Sequence, residues 1–376
     1  MRGRVVDETG AVIVGAQVQL FSRSQTYHTT TDGAGNFLMQ SPAGPGTLRI
    51  SASGFSPSTV EWTESALPIT VTLQPAPVAE KIVVTGERAA TRLDQTAANV
   101  AVLTSAELNN GAAVTLDDAL RQVPGFTLFR RSNSLTANPT TQGASARGVG
   151  ASGASRLLVL EDGVPLNDPF GGWVFWDRVP RLALDHAEVL RGGGSALYGS
   201  GAFGGVVDLV TRTPKDLGSF EMTGDSLNGH DIQAETSRHF SKWTVAADGE
   251  NFGNEGAFVV AAAARGIIDT PATLQFSNGR VLVQRSLADN GSAFLSGSLF
   301  AEQRNNGTAL QINSTHLAEI RAGIDRTLGQ NIFSARVYGS GEHYHQSFSS
   351  IAADRNSETL TRWQTVPSDQ IGFSIN

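Results

Sequence analysis

The 376-residue sequence contains no cysteine. Disulfides, thiolate zinc sites and cysteine nucleophiles are therefore excluded. Charge is scarce as well. Asp, Glu, Lys and Arg make up 17 % of the chain, below the roughly one quarter usual in globular domains. The net charge of −7 leaves no basic footprint, so no nucleic-acid partner is expected. No apolar run reaches the roughly 18 residues of a transmembrane helix. The best candidate, "FVVAAAARGII" (Phe258–Ile268), is too short and is broken by Arg265. The opening "MRGRVVDETG" has no apolar leader core. Neither lack speaks against a β-barrel, whose strands are short and only half apolar.

What is plentiful is glycine, 41 residues, and the chain reads as β-rich with many turns. Residues 1–77 alternate apolar and polar side chains in "AQVQL" (Ala16–Leu20), "LRISAS" (Leu48–Ser53) and "ITVTL" (Ile69–Leu73). Turn signals lie at Asp7–Gly10, Asp32–Asn36 and Pro42–Gly46. A small β-sandwich without catalytic residues is expected, acting as a binding or spacer module. "QPAPVAE" (Gln74–Glu80) is a linker by composition. The following "EKIVVTGER" (Glu80–Arg88) is β-prone, and nothing within the segment pairs with it. It reads either as a strand of the next domain or as one offered to a partner's sheet edge.

Residues 94–213 mix helix and strand signals. Thr104 and Glu107 form a capping box. "TLDDALRQVPG" predicts a helix capped by Thr115, with Leu116, Leu120 and Val123 on one face, stopped at Pro124-Gly125. Strands are expected at Phe126–Phe129, Arg156–Gly163, His186–Gly192 and Gly205–Thr211. A compact α+β domain of roughly four strands and two helices follows. Between its last two strands, "VLRGGGSALYGSGAFGGVVDLVT" crowds glycines that permit positive φ and close backbone approach. Ser195–Tyr198 is expected to form a brief helical turn, with Leu197 and Tyr198 pointing into the core.

From Lys215 onward, long stretches alternate between polar turns. Ala318, Ile320, Ala322 and Ile324 share one face, opposite Glu319, Arg321 and Asp325. Phe333, Ala335 and Val337 oppose Ser334, Arg336 and Tyr338, and Trp243, Val245 and Ala247 oppose Thr244, Ala246 and Asp248. One apolar and one polar face suits a transmembrane barrel strand, though a soluble antiparallel sheet alternates similarly.

These pieces meet a family. "TLDDALRQVPGF", "SARGVGASGASRLLVLEDGVPLND" and "AEVLRGGGSALYGSGAFGGVVDLVTRTP" resemble, in order and spacing, the plug domain of TonB-dependent outer-membrane receptors. "EKIVVTGE" resembles the TonB box before such plugs, and residues 1–77 resemble a carboxypeptidase-regulatory-like sandwich, which is not catalytic. The resemblance implies a mainly β protein in four parts. These are a sandwich over 1–77, a linker with TonB-box-like segment over 78–93, a plug over 94–213, and barrel strands over 214–376. It also implies a plug that fills a barrel lumen and later yields to substrate.

By the same resemblance, Ile82, Val83, Val84 and Thr85 contact TonB, a periplasmic partner driven by inner-membrane motor proteins. Arg147 and Arg191 match two plug arginines that pair with barrel glutamates, whose positions are expected outside this chain. Ligand is expected at the loops Arg130–Thr141 and Leu166–Arg178, through Asn133, Ser134, Asn167, Asp168, Phe170, Trp173, Phe175 and Trp176. Aromatic faces stack on many ring chemistries, and the same cluster also suits packing of plug against wall. The tail supplies on the order of seven strands against about 22 in outer-membrane transporters, so an incomplete barrel is expected. Gly193 stands where such plugs commonly carry proline after Arg-Gly.

Rival motifs lose their context. "GVGASG" (Gly148–Gly153) precedes a strand, not the helix a dinucleotide site needs. His316 and Glu319 would face opposite ways in a strand, whereas His343 and His345 share a face and can bind metal in principle. No nucleophile elbow or phosphate loop is present. No enzyme activity, cofactor or metal is expected. The function expected is import of a scarce siderophore, cobalamin or glycan across an outer membrane, with lipid around the barrel and the sandwich and box in the periplasm. The alternative is a non-transporting binding module of sandwich and plug.

Overall fold

The structure is a computed structural model that describes residues 1–22, 25–39, 46–52, 55–62, 68–74, 82–83, 91–94, 96–130, 132, 134–146, 153–288, 291–328 and 331–375. It falls into two compact units, Met1–Glu80 and Lys81–Asn376. Among the described residues, no helix is long and apolar enough to cross a membrane.

The first unit has seven strands: β1 (Arg2–Asp7), β2 (Gln17–Ser22), β3 (Gln25–Thr30), β4 (Asn36–Leu38), β5 (Gly46–Ser51), β6 (Ser58–Trp62) and β7 (Ile69–Leu73). One sheet runs β4-β1-β7 and the other β3-β2-β5-β6. The alternation in sequence becomes the core directly. Val18 and Leu20 of β2, Leu48 and Ile50 of β5, and Val71 and Leu73 of β7 bury together. Two of the expected turns are closed by side chains: Asp7 Oδ1 accepts from Thr9 N and Ala11 N at 2.8 and 2.9 Å, and Asp32 Oδ1 accepts from Ala34 N and Asn36 N; of the third, residues 42–45 lie outside the described residues. Asx turns of this kind fix short hairpins.

The second unit opens with β8 (Ile82–Val83) and β9 (Thr91–Arg92), which pair antiparallel. Ile82 and Val83 of the TonB-box-like segment thus pair with residues just beyond it, as one of the two readings allowed. Val84 and Thr85 lie outside the described residues.

The plug follows: β10 (Val100–Thr104), α1 (Ser105–Asn109), α2 (Leu116–Leu120), β11 (Phe126–Leu128), β12 (Ala144–Ala146), β13 (Leu158–Glu161), β14 (Val164–Pro165), β15 (Leu184–Arg191), α3 (Ser195–Tyr198) and β16 (Gly205–Thr211). Its main sheet runs β10-β15-β16-β13-β14, so three of the four expected strands are joined by β10 and β14, while the fourth, at Phe126, pairs with β12 in a separate two-stranded sheet. The capping box is formed: Glu107 N donates to Thr104 Oγ1, and Thr104 N to Glu107 Oε2 at 2.7 Å. Leu116, Leu120 and Val123 bury in the plug core as the spacing predicts, although the helix is one turn shorter than expected. Proline and glycine at 124–125 unwind its end.

The glycine-rich crossing between β15 and β16 has a steric cause. Gly205 has φ of +129°, and a Cβ there would stand 2.4 Å from the carbonyl oxygen of Leu190. A Cβ on Gly204 would stand 2.5 Å from that of Arg156. The brief helix α3 forms as expected. Its Leu197 is 40 % exposed rather than buried, because a single turn carries only one side to the core. Tyr198 packs partly against Leu160 and Leu190.

Eight strands follow: β17 (Leu217–Gly224), β18 (His230–Phe240), β19 (Trp243–Gly253), β20 (Thr273–Ser286), β21 (Ser292–Asn305), β22 (Ile312–Leu328), β23 (Asn331–Ile351) and β24 (Glu358–Ile375). They pair in sequence order as an antiparallel meander, one strand more than expected, and the described strands do not close into a ring. One end has tight turns, such as Ser241-Lys242, with Ser241 at φ of +60°. The other carries longer connections over 254–272, 306–311 and 352–357.

Candidate functional site

The inner face of the meander meets the plug. A row of aromatic and aliphatic side chains forms the contact. Trp173 and Phe175, from the loop before β15, pack with Phe252, Leu274, Phe276, Phe300, Leu317 and Tyr344 of the wall. Trp173 lies 5.3 Å from Tyr344 and Phe175 lies 5.6 Å from Phe300, between ring centroids. Such pairs add about 0.5–1.5 kcal/mol beyond burial.

Around this seam lies a network of ion pairs. Glu161, at the end of β13, receives Arg321 Nη2 of β22 at 2.6 Å and Arg280 Nη1 of β20 at 3.3 Å. Arg280 also reaches Asp162 at 3.6 Å and Asp248 of its own wall at 2.8 Å. Arg178 of the plug binds Glu319 of β22 at 2.9 Å, and Glu319 in turn holds Arg321. Arg304 of β21 bridges Asp177 of the plug at 3.0 Å and Glu302 of the wall at 2.7 Å, and its other nitrogen donates to the carbonyls of Ser134 and Ala137. Nearer the start of the wall, Arg212 pairs with Glu235 at 2.8 Å, and Leu182 N donates to Gln233 Oε1 at 3.1 Å. Burial pushes the Glu161 carboxyl up, but Arg321 and then Arg280 outweigh it and hold it below the usual carboxylate range.

Arginine–carboxylate pairs thus cross the seam in both senses: plug carboxylates at 161, 162 and 177 meet wall arginines, and the plug's Arg178 and Arg212 meet wall glutamates. The glutamates expected for Arg147 and Arg191 were placed outside this chain. Arg191 is engaged inside the plug, donating to the carbonyl of Pro124 at 3.2 Å and to Asn99 Oδ1. It touches no wall carboxylate among the described residues, because its strand end is turned toward the β10 side of the plug sheet. Arg147 lies outside the described residues, as does Asn133. A sequence signal for the wall arginines exists. Glu302-x-Arg304 and Glu319-x-Arg321 repeat on adjacent strands, and residues two apart share a face. A glutamate and an arginine side by side on a lumen-facing row mark a place where charge is presented to a partner.

The expected ligand residues divide. Ser134 Oγ donates to buried Asp117 at 2.7 Å, beside Arg130. Asn167 bridges backbone, accepting from Val159 N at 2.8 Å and donating to the Leu157 carbonyl at 3.0 Å. Asp168 caps the loop by accepting from Gly171 N. Trp176 is buried in the plug core, edge-on to Phe126, and donates to the Gln142 carbonyl. Trp173 and Phe175 are spent on the wall. Of the four aromatic rings in that loop, only Phe170 is exposed, at 56 %. Packing of plug against wall, one of the two uses open to this cluster, thus takes two of its four rings, Trp173 and Phe175.

The outer face of the meander is apolar in rows. Val281, Gly297, Ile320, Gly339 and Ile371 stand opposite one another across β20 to β24. Ile320 is 58 % exposed while its neighbours Glu319 and Arg321 are buried inward, as the alternation predicts. His343 faces His316 across β22 and β23, yet among the described residues no three side chains are placed to hold a metal ion.

Residues 92–206 match the TonB-dependent receptor plug domain, and residues 1–85 match the carboxypeptidase regulatory-like domain. The vitamin B12 transporter BtuB of Vibrio cholerae is 29 % identical over 133 residues, covering 35 % of this chain and 21 % of the relative. That of Vibrio vulnificus is 30 % identical over 177 residues, covering 45 % and 26 %. Among solved structures, the siderophore receptor PirA of Acinetobacter baumannii superposes with a TM-score of 0.57 at 17 % identity, covering 73 % of this chain and 44 % of that one. The ferric enterobactin receptor PfeA of Pseudomonas aeruginosa gives 0.56 at 14 %, covering 77 % and 47 %. The likeness to these structures is one of fold. The chain spans about a quarter of the length of these curated relatives and less than half of these solved chains.

Proposed function

We propose that this chain, whose plug and wall are those of a TonB-dependent receptor, serves import of a scarce small molecule across an outer membrane. The observation that carries the reading is a plug domain docked on the polar inner face of a strand meander whose outer face is apolar. An apolar exterior suits lipid. A plug held by re-formable arginine–carboxylate contacts suits a stopper that must yield. The division into sandwich (1–77), linker (78–93), plug (94–213) and wall (214–376) is part of the same reading, with the sandwich and linker in the periplasm. No catalytic step is assigned to the chain.

Ile82, Val83, Val84 and Thr85 are assigned to TonB. Among the described residues, the pairing of Ile82–Val83 with Thr91–Arg92 covers two positions, and so short a pairing is readily exchanged for a longer partner. Of the ligand loops, we assign direct contact to Phe170, with Asn133 on the neighbouring loop. Ser134, buried and bonded to Asp117, shapes the surface beneath with Asn167, Asp168, Trp173, Phe175 and Trp176. Arg147 and Arg191 are assigned to holding the plug in place. The relatives' names point to cobalamin or a ferric siderophore, and a glycan fits the same aromatic chemistry.

Growth of a deletion strain on defined iron chelates, cobalamin or glycans identifies the cargo. In the complemented strain, Val83→Pro removes a backbone donor. Energised uptake is expected to be lost while cell-surface binding of the cargo persists. Uptake equal to that of the parent would refute the assignment of the segment to TonB, and normal growth of the deletion strain on every source would refute import.

A further inference from the structure

The outer face of the meander changes character toward the end with the long connections. Stepping by twos from Ile320, β22 presents Ala318, His316 and Ser314, and from Gly339, β23 presents Gly341, His343 and His345. Cross-strand register extends these positions into two polar rows. One runs through Asn251, Ser277, Ala301, His316 and His343. The next runs through Gly253, Gln275, Gln303, Ser314, His345 and Thr365, with His230 opposite Gly253. Four of the chain's seven histidines stand here. Neither stretch carries Asp, Glu, Lys or Arg, and Asp369 stands one step below, opposite Gly341.

Several of these side chains are already aligned. His230 Nε2 and Asn251 Oδ1 are 2.9 Å apart, Asn251 Nδ2 donates to Ser277 Oγ at 2.8 Å, and His345 Nδ1 and Thr365 Oγ1 are 3.0 Å apart. His316 and His343 are exposed and directly opposite each other. Hollows of about 450 and 380 Å³ open along the rows and share Gln275 and Gln303; the first reaches Trp363, the second His316 and His230. From Ile324 to His316 and Ser314, a strand tilted by about 40° climbs about 20–26 Å, which is the height of a barrel's apolar band. In lipid the rows stand at headgroup level, with acyl chains against the exposed Leu299, Ile320 and Ile371 below. A headgroup at this level meets imidazole, amide and hydroxyl groups. Imidazole and amide N–H groups donate to phosphate oxygens, and amides and hydroxyls pair with sugar hydroxyls. An ammonium headgroup finds no carboxylate in either row.

We propose that these rows bind the phosphorylated sugar headgroup of a lipid in the surrounding bilayer. His316 and His343 donate to the phosphate from adjacent strands. Gln275 and Gln303, shared by the two hollows, bond the sugar hydroxyls, and Trp363 offers a ring face to the sugar. The site presupposes the lipid-facing outer wall of the proposed function, but neither its cargo nor transport.

The test is lipid retention by the full chain in dodecylmaltoside micelles, read by native mass spectrometry, with folding checked by circular dichroism. The probes are lipid A, its dephosphorylated form and phosphatidylcholine. Lipid A is expected to be retained in preference to both. In the double variant His316→Ala, His343→Ala its affinity falls about tenfold, as the loss of hydrogen bonds to a charged acceptor requires. Gln303→Leu weakens it as well. His239→Ala, at an exposed position near the tight-turn end of β18, leaves it unchanged. Because the sequence has no cysteine, a single fluorophore on Ile320→Cys reports the lipid face separately. Quenching of that label by lipids with a doxyl group on the acyl chain, together with equal retention of all three probes, overturns the headgroup site while the lipid face stands. No quenching overturns the lipid face and the site with it. Retention of lipid A by the double histidine variant at the parent's affinity overturns the site, as does its displacement by millimolar inorganic phosphate.

Discussion

Glu161 shows how much one side chain can decide. It is a plug residue, yet its two oxygens are bound by arginines from two wall strands. Removing one member of a buried pair costs about 3–5 kcal/mol. Arg321 and Arg280 keep Glu319 and Asp248 as second partners, so Glu161→Gln is expected to destabilise the chain by about 3 kcal/mol, the lower end of that range. Denaturant titration in micelles reads the loss, and in an Arg321→Met background the same change should cost less, as coupled neighbours require. A second residue sets a pH dependence. Asp208 on β16 faces Glu188 across the sheet, with Asp162 and His186 nearby and Gly163 N as a donor. Burial, then Asp162, raises its carboxyl from 3.8 to about 7. The His186 imidazole is raised too, chiefly by its bond to Glu188. A group raised in the folded state stabilises fully below its unfolded value and loses that contribution as pH rises through the folded one. Stability from Asp208 therefore declines from pH 4 to 7. Asp208→Asn should flatten the thermal midpoint between those limits, and an unchanged slope would reject the assignment.

Among elements, the wall strands were legible because period-two alternation is a local property. A residue's face follows from its parity once the chain is extended. Ile320 faces outward and Glu319 inward for no other reason. Ile320→Arg is expected to cost about 2–4 kcal/mol in lipid, the penalty for a cation on the apolar band of a barrel, measured as reduced heat-stable β-structure in bilayers. The same change in micelles at an inward position would not report on lipid. Elements built by few residues were less legible. The pairing of β8 with β9 depends on which chain segment lies alongside, and α2 stops a turn early because Pro124 and Gly125 act on residues before them.

For the whole molecule, the organisation is a sandwich unit followed by a plug and wall that share a seam. That seam combines a buried aromatic row with charge pairs at its borders. Trp173→Ala and Phe175→Ala each remove a large ring at a cost of about 3–5 kcal/mol. Limited proteolysis should then cut plug loops sooner, while fragments of residues 1–80 appear at the parent's rate. Plug loops cut at the parent's rate in both variants would contradict the role given to the two rings.

Composition, alternation and turn chemistry determined the β character, the boundaries of regular texture and the two faces of each wall strand, because each acts within a few neighbours along the chain. Motif order determined the likeness to a plug. Only the tertiary structure decided which charges meet. Glu161 and Arg321 are 160 residues apart in sequence, and no local pattern connects them. Nor does sequence alone show that Trp173 and Phe175 are consumed by the wall while Phe170 stays in solvent. Burial and pairing across such distances depend on how whole sheets stack, and that is settled by packing, not by spacing.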